Sequence, residues 1–200
     1  MLDLSSIMEY LDNSISSKRY VHSINVSKTA KKLAELYEAD SAKAEIAGLV
    51  HDCARDLEKS LQLKYLKEEG IEADELTMNI KELLHGPAAV HICKSVFAIE
   101  DEEILSAVRY HTTGKENMSL LEKIIYLSDF IEPERSFPGV EELRSIALKS
   151  LDEALLGAFN SSISYILSTN RFVHIDTILA RNYVLKEVQE HEKRCRDNSR

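Results

Sequence analysis

A chain of 200 residues, 44% of them hydrophobic, is long enough for one domain with a sizeable core. Its formal net charge of −9 argues against general affinity for nucleic acid or an anionic membrane. Any anionic ligand must then meet a local positive centre, supplied by a metal ion or a few Arg and Lys side chains. The N-terminal residues have no basic stretch and no long apolar run, so no signal peptide is expected. No segment approaches the roughly 18 apolar residues of a membrane span. Cys53, Cys93 and Cys195 are widely spaced with no Cys-x-x-Cys pair, which reads as reduced thiols in a cytoplasmic protein.

Ala, Leu, Ile, Glu and Lys dominate, with six Gly and three Pro, so the expected class is all-α. A single-domain helical bundle is expected over residues 1–200, with its core at about 18–185 and a frayed, charged tail at 190–200. Leu4, Ile7, Met8 and Leu11 predict a short helix over 3–11. Ser16 and Ser17 offer caps for a long helix over about 18–37, with an apolar stripe through Val21, Ile24, Ala30 or Leu33, Ala34 and Tyr37. His22 and Asn25 lie three apart and share one face of it. Ser41 is the expected cap of a helix over 42–53, an inner element because Ala44, Ile46, Ala47, Leu49 and Val50 should mostly be buried. This helix delivers His51 and Asp52 side by side. Buried polar groups need partners, and a cation suits both. The blander alternative is a hydrogen bond within the pair or to a carbonyl. Cys53 beside them reads as packing.

Arg55, Asp56 and Lys59 follow closely. A helix over 60–69 ends at Gly70, and another covers 73–84. His85-Gly-Pro then breaks the chain, so that Pro87 opens a helix over 87–99 and His85 sits at a junction. His91 reads as a surface or packing residue. Asp101 caps a helix to about Tyr110, followed by His111-Thr-Thr-Gly. Ser119 begins a strongly apolar helix in which Asp129 stands among Ile124, Ile125, Leu127, Phe130 and Ile131, and Pro133 stops it. Arg135 lies on the Pro-bounded loop beyond. Helices over about 140–150, 151–169 and 174–192 complete the pattern, and no strand pattern is convincing. Tyr20, Tyr37, Phe137 and Phe172 could stack on a base but read first as core.

Asp129 is the most telling residue. A carboxylate inside so apolar a run is costly unless it faces a cation. Together with His22, His51 and Asp52 it would form a site of intermediate hardness, suited to iron, manganese or a related divalent ion. Four protein ligands on a six-coordinate ion leave two positions, which metal-assisted hydrolysis of a phosphate ester needs. Arg55, Lys59, Arg135 and Arg181 are candidates for the remaining positive charge.

These residues resemble the signature of the HD superfamily of metal-dependent phosphohydrolases, an all-helical family. The segments His85-Gly-Pro, Arg109-Tyr-His-Thr-Thr-Gly, Tyr126-Leu-Ser-Asp-Phe-Ile-Glu-Pro-Glu-Arg and Thr177-Ile-Leu-Ala-Arg-Asn resemble its YqeK branch, the symmetrical bis(5'-nucleosyl)-tetraphosphatases. The resemblance covers about residues 18–185. It implies an HD-type bundle that splits diadenosine tetraphosphate into two ADP. It implies iron or a similar ion held by His22, His51, Asp52 and Asp129. Arg135 would contact phosphate, and His85 and His111 would line the phosphate pocket. Asn25, Arg55, Lys59, Thr112, Arg171, His174 and Arg181 would complete the substrate contacts. Asp52 is the expected residue to orient the attacking water or take its proton, and His85 or His111 to protonate the leaving phosphate. One departure is Ile175, where Pro commonly follows the residue matching His174. Rival readings are another HD-type hydrolase (a nucleotidase or a guanosine tetraphosphate hydrolase), a catalytically silent nucleotide-binding module, or a helical scaffold. The apolar helical surface also allows a homodimer.

Overall fold

The computed structural model describes residues 4–198, which form eleven helices and no strand. The chain runs α1 (Leu4–Ser14), α2 (Ser17–Leu36), α3 (Ser41–Val50), α4 (Lys59–Glu68), α5 (Glu75–Asn79) and α6 (Lys81–Ser95). It continues through α7 (Glu102–Tyr110), α8 (Leu120–Ile131), α9 (Val140–Ala147), α10 (Leu151–Ser168) and α11 (Ile175–Asn198). The apolar α8 lies at the centre, with α2, α3, α7 and α10 packed around it, while α4 and α5 pack on α6. Ile124, Ile125 and Leu127 of α8 are fully buried, together with Leu84 of α6 and Leu155 and Phe159 of α10.

Several helix starts follow side-chain chemistry. Asp101 accepts from Glu103 N and Ile104 N at the start of α7. Ser119 and Glu122 form a reciprocal capping box on α8, as the expected start at Ser119 requires. Two expected caps are corrected. Asp40, one residue before Ser41, caps α3 by accepting from Ala42 N and Lys43 N. Ser16 occupies the cap position of α2 without a side-chain bond.

The expected break at His85 is also corrected. α6 passes unbroken through Pro87, and the helix before it shrinks to the single turn of α5. Pro87 forfeits one intrahelical bond. The burial of Leu84, Ala88, Ala89, Ile92 and Cys93 along α6 outweighs that loss. Val21 is exposed, and the inward stripe of α2 runs through Val26 and the expected Ala30, Leu33 and Ala34. α11 extends past the expected end near 192 to Asn198, with Arg194 and Arg196 paired to Glu190 and Glu192 one turn earlier.

Two glycines set the crossings on which the site depends. A Cβ on Gly48 would lie 2.8 Å from Ser27 Cα, so α3 and α2 touch backbone to backbone one turn before His51. A Cβ on Gly86 would lie 2.8 Å from Arg109 O, so α6 rests directly on the end of α7. That contact brings His85 to His111.

Candidate metal centre

His22, His51, Asp52 and Asp129 arrive from α2, the end of α3 and the last turn of α8, and they converge. His22 Nε2 lies 3.0 Å from Asp129 Oδ1 and 3.9 Å from Asp52 Oδ2, and His51 Nε2 lies 3.7 Å from that same Oδ2. The ligand atoms of His22, His51 and Asp129 fall within 4.8 Å of one another, as do those of His51, Asp52 and His111. Asp52 therefore stands between two groups. Its Oδ2 faces His22 and His51, while Oδ1 faces His85 Nε2 at 3.0 Å and His111 Nε2 at 3.6 Å.

The tautomers follow from the partners of the other ring nitrogens. A carbonyl oxygen can only accept, so His51 Nδ1 donates to Gly48 O (2.8 Å) and His111 Nδ1 donates to Val108 O (2.7 Å). His22 Nδ1 faces Glu132 Oε1 at 3.2 Å. Each Nε2 is thereby left as a lone pair pointing into the cluster. His51 Nε2 is buried with no hydrogen-bond partner, while His22 Nε2 and Asp52 Oδ1 are buried against Asp129 Oδ1 and His85 Nε2. Convergent lone pairs repel unless a positive centre sits among them. A proton on His22 supplies one such centre, and a divalent cation fits the same donor set. The blander reading of His51 and Asp52 accounts for Nδ1 on Gly48 O but leaves His51 Nε2 unexplained.

The electrostatics agree. Burial pushes His51 down to about 3 and His85 down to about 4, so both rings are neutral near pH 7. Burial opposes ionisation of Asp52, but His51, His111 and His85 outweigh it and hold the carboxyl well below the usual range. Asp129 is likewise depressed, with burial outweighed by His22 and Arg135. His22 is raised, because Asp129 and Asp52 outweigh its burial.

The structure brings together most of the expected phosphate-side residues. Thr112 Oγ1 lies 3.2 Å from both His85 Nε2 and His111 Nε2, and those two ring nitrogens are 2.8 Å apart. Arg55 Nη1 lies 2.9 Å from His85 Nε2. Arg135 folds back to donate to the carboxylate and the carbonyl of Asp129. A cleft opens beside Thr112, lined by Leu83, Pro87, Arg109, Tyr110, Thr113 and His174 among others. His174 holds that wall by bonding Thr77 Oγ1 and pairing with Asp74.

Other expected contacts lie elsewhere. Lys59 donates to Asn79 O, and Arg181 holds Asn160 and Asn182. Arg171 is exposed on the loop between α10 and α11. Asn25 donates to Glu132 Oε2, behind His22. Phe172 is exposed, not core.

Two residues of the centre escaped the sequence reading. Arg19 pairs with Asp52 Oδ2 and lies 3.4 Å from Asp56 Oδ1. Glu132 supports His22 from behind. The missed signal was helical spacing: Arg19, His22 and Asn25 recur every three residues, as do Asp129 and Glu132.

The HD domain family model matches residues 19–134, which include His22, His51, Asp52, His85, His111 and Asp129. The chain belongs to the HD domain family. It is 41% identical over 173 residues to a symmetrical bis(5'-nucleosyl)-tetraphosphatase of Halalkalibacterium halodurans, covering 86% of this chain and 92% of that one. It is 39% identical over 171 residues to the enzyme of the same name from Bacillus subtilis, covering 86% and 91%. A crystal structure of an HD superfamily hydrolase from Clostridium acetobutylicum, described as involved in NAD metabolism, superposes with a TM-score of 0.90. It is 45% identical and covers 94% of this chain and 99% of that one.

Proposed function

We propose that this chain is a metal-dependent hydrolase that splits diadenosine tetraphosphate symmetrically into two ADP. The observation that carries the metal reading is the convergence of buried His22 Nε2 and His51 Nε2, the latter with no hydrogen-bond partner, on the carboxylates of Asp52 and Asp129. The substrate is the one implied by the name of the relatives that match most of the chain. His22, His51, Asp52 and Asp129 would hold the ion; the mixed imidazole and carboxylate set suits a divalent transition metal, and iron is the one that the family resemblance implies. A divalent ion bound there supplies Lewis acidity and an acidified water.

The rest falls to the side chains. Asp52, kept ionised by the surrounding imidazoles, orients the attacking water and accepts its proton at Oδ1. Arg135 and Arg55, at either edge of the cluster, bind the phosphate chain, which brings roughly four negative charges to an acidic protein. His85 and His111 line the phosphate pocket beside Asp52 Oδ1, and one of them passes the proton that Asp52 takes from the water on to the departing phosphate. The cleft beside Thr112 and His174 would seat a nucleoside.

The reading includes a homodimer, supported by exposed Tyr165, Leu167, Phe172, Ile175 and Leu179 at the α10–α11 turn. It also includes a cytoplasmic location, supported by three free cysteines. Among the described residues no helix is long and apolar enough to cross a membrane.

The test is metal analysis of protein purified without chelator, followed by product analysis on diadenosine tetraphosphate. Two ADP per substrate, lost in Asp52→Ala at saturating metal, is the expected result. ATP plus AMP, a preference for mononucleotides, or undiminished turnover by the variant would overturn the assignment.

A further inference from the structure

Among the three rings that direct Nε2 into the cluster, His22 differs in one respect. His51 and His111 are fixed by main-chain carbonyls, whereas His22 Nδ1 meets a side chain, Glu132 Oε1, at 3.2 Å. Glu132 is 2% exposed. Its other oxygen accepts from Asn25 Nδ2 at 3.2 Å and from Glu134 N at 2.8 Å. The basic nitrogen facing it is Arg135 Nε at 3.9 Å, too far for a hydrogen bond. A carboxylate buried in this way is costly unless the imidazole it supports is itself drawn toward positive charge.

We infer that Glu132 is a positioning residue for the candidate centre: accepting from His22 Nδ1–H, it keeps the His22 Nε2 lone pair free for a cation and makes that ring a stronger donor. This rests on the reading that the centre holds a divalent ion. Capping the turn after α8 would need only the bond from Glu134 N. The reach across to α2, and the support from Asn25 one turn along from His22, go beyond that need. Carboxylates behind metal-binding imidazoles have this effect generally, and their loss typically costs ten- to a hundredfold in metal affinity.

Glu132→Gln separates the two roles. The amide oxygen can still accept from Glu134 N, so the turn survives. The amide NH₂ can only donate, so facing His22 it moves the ring proton to Nε2, where it blocks ligation. Two measurements follow on the full chain. Long-range proton–nitrogen NMR of the chelated protein at alkaline pH should place the His22 proton on Nδ1 in the parent and on Nε2 in Glu132→Gln. Calorimetric titration with Co²⁺ should show a ten- to hundredfold weaker site in the variant, with the melting temperature of the chelated protein little changed. Glu132→Asp, which restores the charge, should recover part of the affinity and the Nδ1 proton.

Binding of Co²⁺ by Glu132→Gln within threefold of the parent, or an unmoved His22 proton, would overturn the inference. A parent chain that bound no Co²⁺ would instead sink the metal reading, because the NMR result needs no metal and judges Glu132 separately. If Glu132→Gln fails to fold, Asn25→Ala, which loosens the carboxylate and leaves its charge, should weaken Co²⁺ binding by a smaller factor. No weakening in that variant would count against the proposal.

Discussion

Gly48→Ala tests whether the α2–α3 crossing sets the geometry of the centre. The added Cβ would lie 2.8 Å from Ser27 Cα, 3.0 Å from Ser27 N and 3.1 Å from the Val26 carbonyl carbon. All three are main-chain atoms and cannot rotate away. Relief requires the helices to part by about half an ångström, since close-packed interiors have little slack. Alanine gains about 1 kcal/mol of helix propensity over glycine. Overpacking costs about 1–3 kcal/mol, and a backbone clash belongs at the upper end. The net loss is about 1–2 kcal/mol, or a melting temperature lower by about 2–8 °C in a chain of this size.

The chemical consequence should be larger. His51 lies one turn beyond Gly48, and His22 one turn before Val26, so the displacement separates two candidate ligands. Sites of this kind tolerate about 0.5 Å, so divalent-ion affinity should drop at least tenfold. Gly157→Ala is the control. Its Cβ would meet Leu143 Cδ2 at 2.6 Å, the mobile end of a side chain, so stability should hold or rise slightly and metal binding should not change. Scanning calorimetry and Co²⁺ titration of both variants decide the matter. A Gly48→Ala protein that melts and binds as the parent does, or a Gly157→Ala protein that is worse, would refute the reasoning.

Arg135→Ala should raise KM for the tetraphosphate at least tenfold, and Arg135→Lys should rescue it poorly because the guanidinium fork is lost; an unchanged KM would remove Arg135 from the phosphate site. Lys123, buried between Asp152 and Glu187, has its pKa raised because those partners outweigh its burial. Its contribution is therefore complete below the ordinary 10.5 and fades as pH rises through the folded value. The stability gap between parent and Lys123→Met should hold from neutral pH to about 9 and narrow above about 10.5; a gap that vanished near neutrality would contradict this. Phe172→Asp should convert a dimer to a monomer in light scattering, and a parent chain that is monomeric at every concentration would remove the dimer.

The lesson about legibility lies in which residues were missed. His51, Asp52 and Asp129 could be read from the sequence because each sits in or beside an apolar run, and a charged or imidazole group there signals its own cost. Arg19 carries no such signal, and Glu132 stands at the end of the α8 run next to Pro133, where a carboxylate reads as solvated. Charged residues near helix ends are ordinarily solvated, and only the packing of α2 against α8 shows that these two are drawn inward. The expected break at His85 failed for a related reason. Pro and Gly are local signals for ending a helix, whereas the contact of Gly86 with the end of α7 belongs to the tertiary structure.

By itself the sequence determined the helical class, the order of most helices and three candidate ligands, His51, Asp52 and Asp129, since periodicity and the cost of burying charge are local properties. The tertiary structure alone decided how those residues face one another: which ring nitrogen carries each proton, that the two oxygens of Asp52 serve two sets of imidazoles, and that Lys59, Arg171 and Arg181 have other surroundings. Those outcomes depend on helix crossings set by contacts between residues far apart in the chain, where backbone meets backbone at Gly48 and Gly86, and no local pattern records such distances.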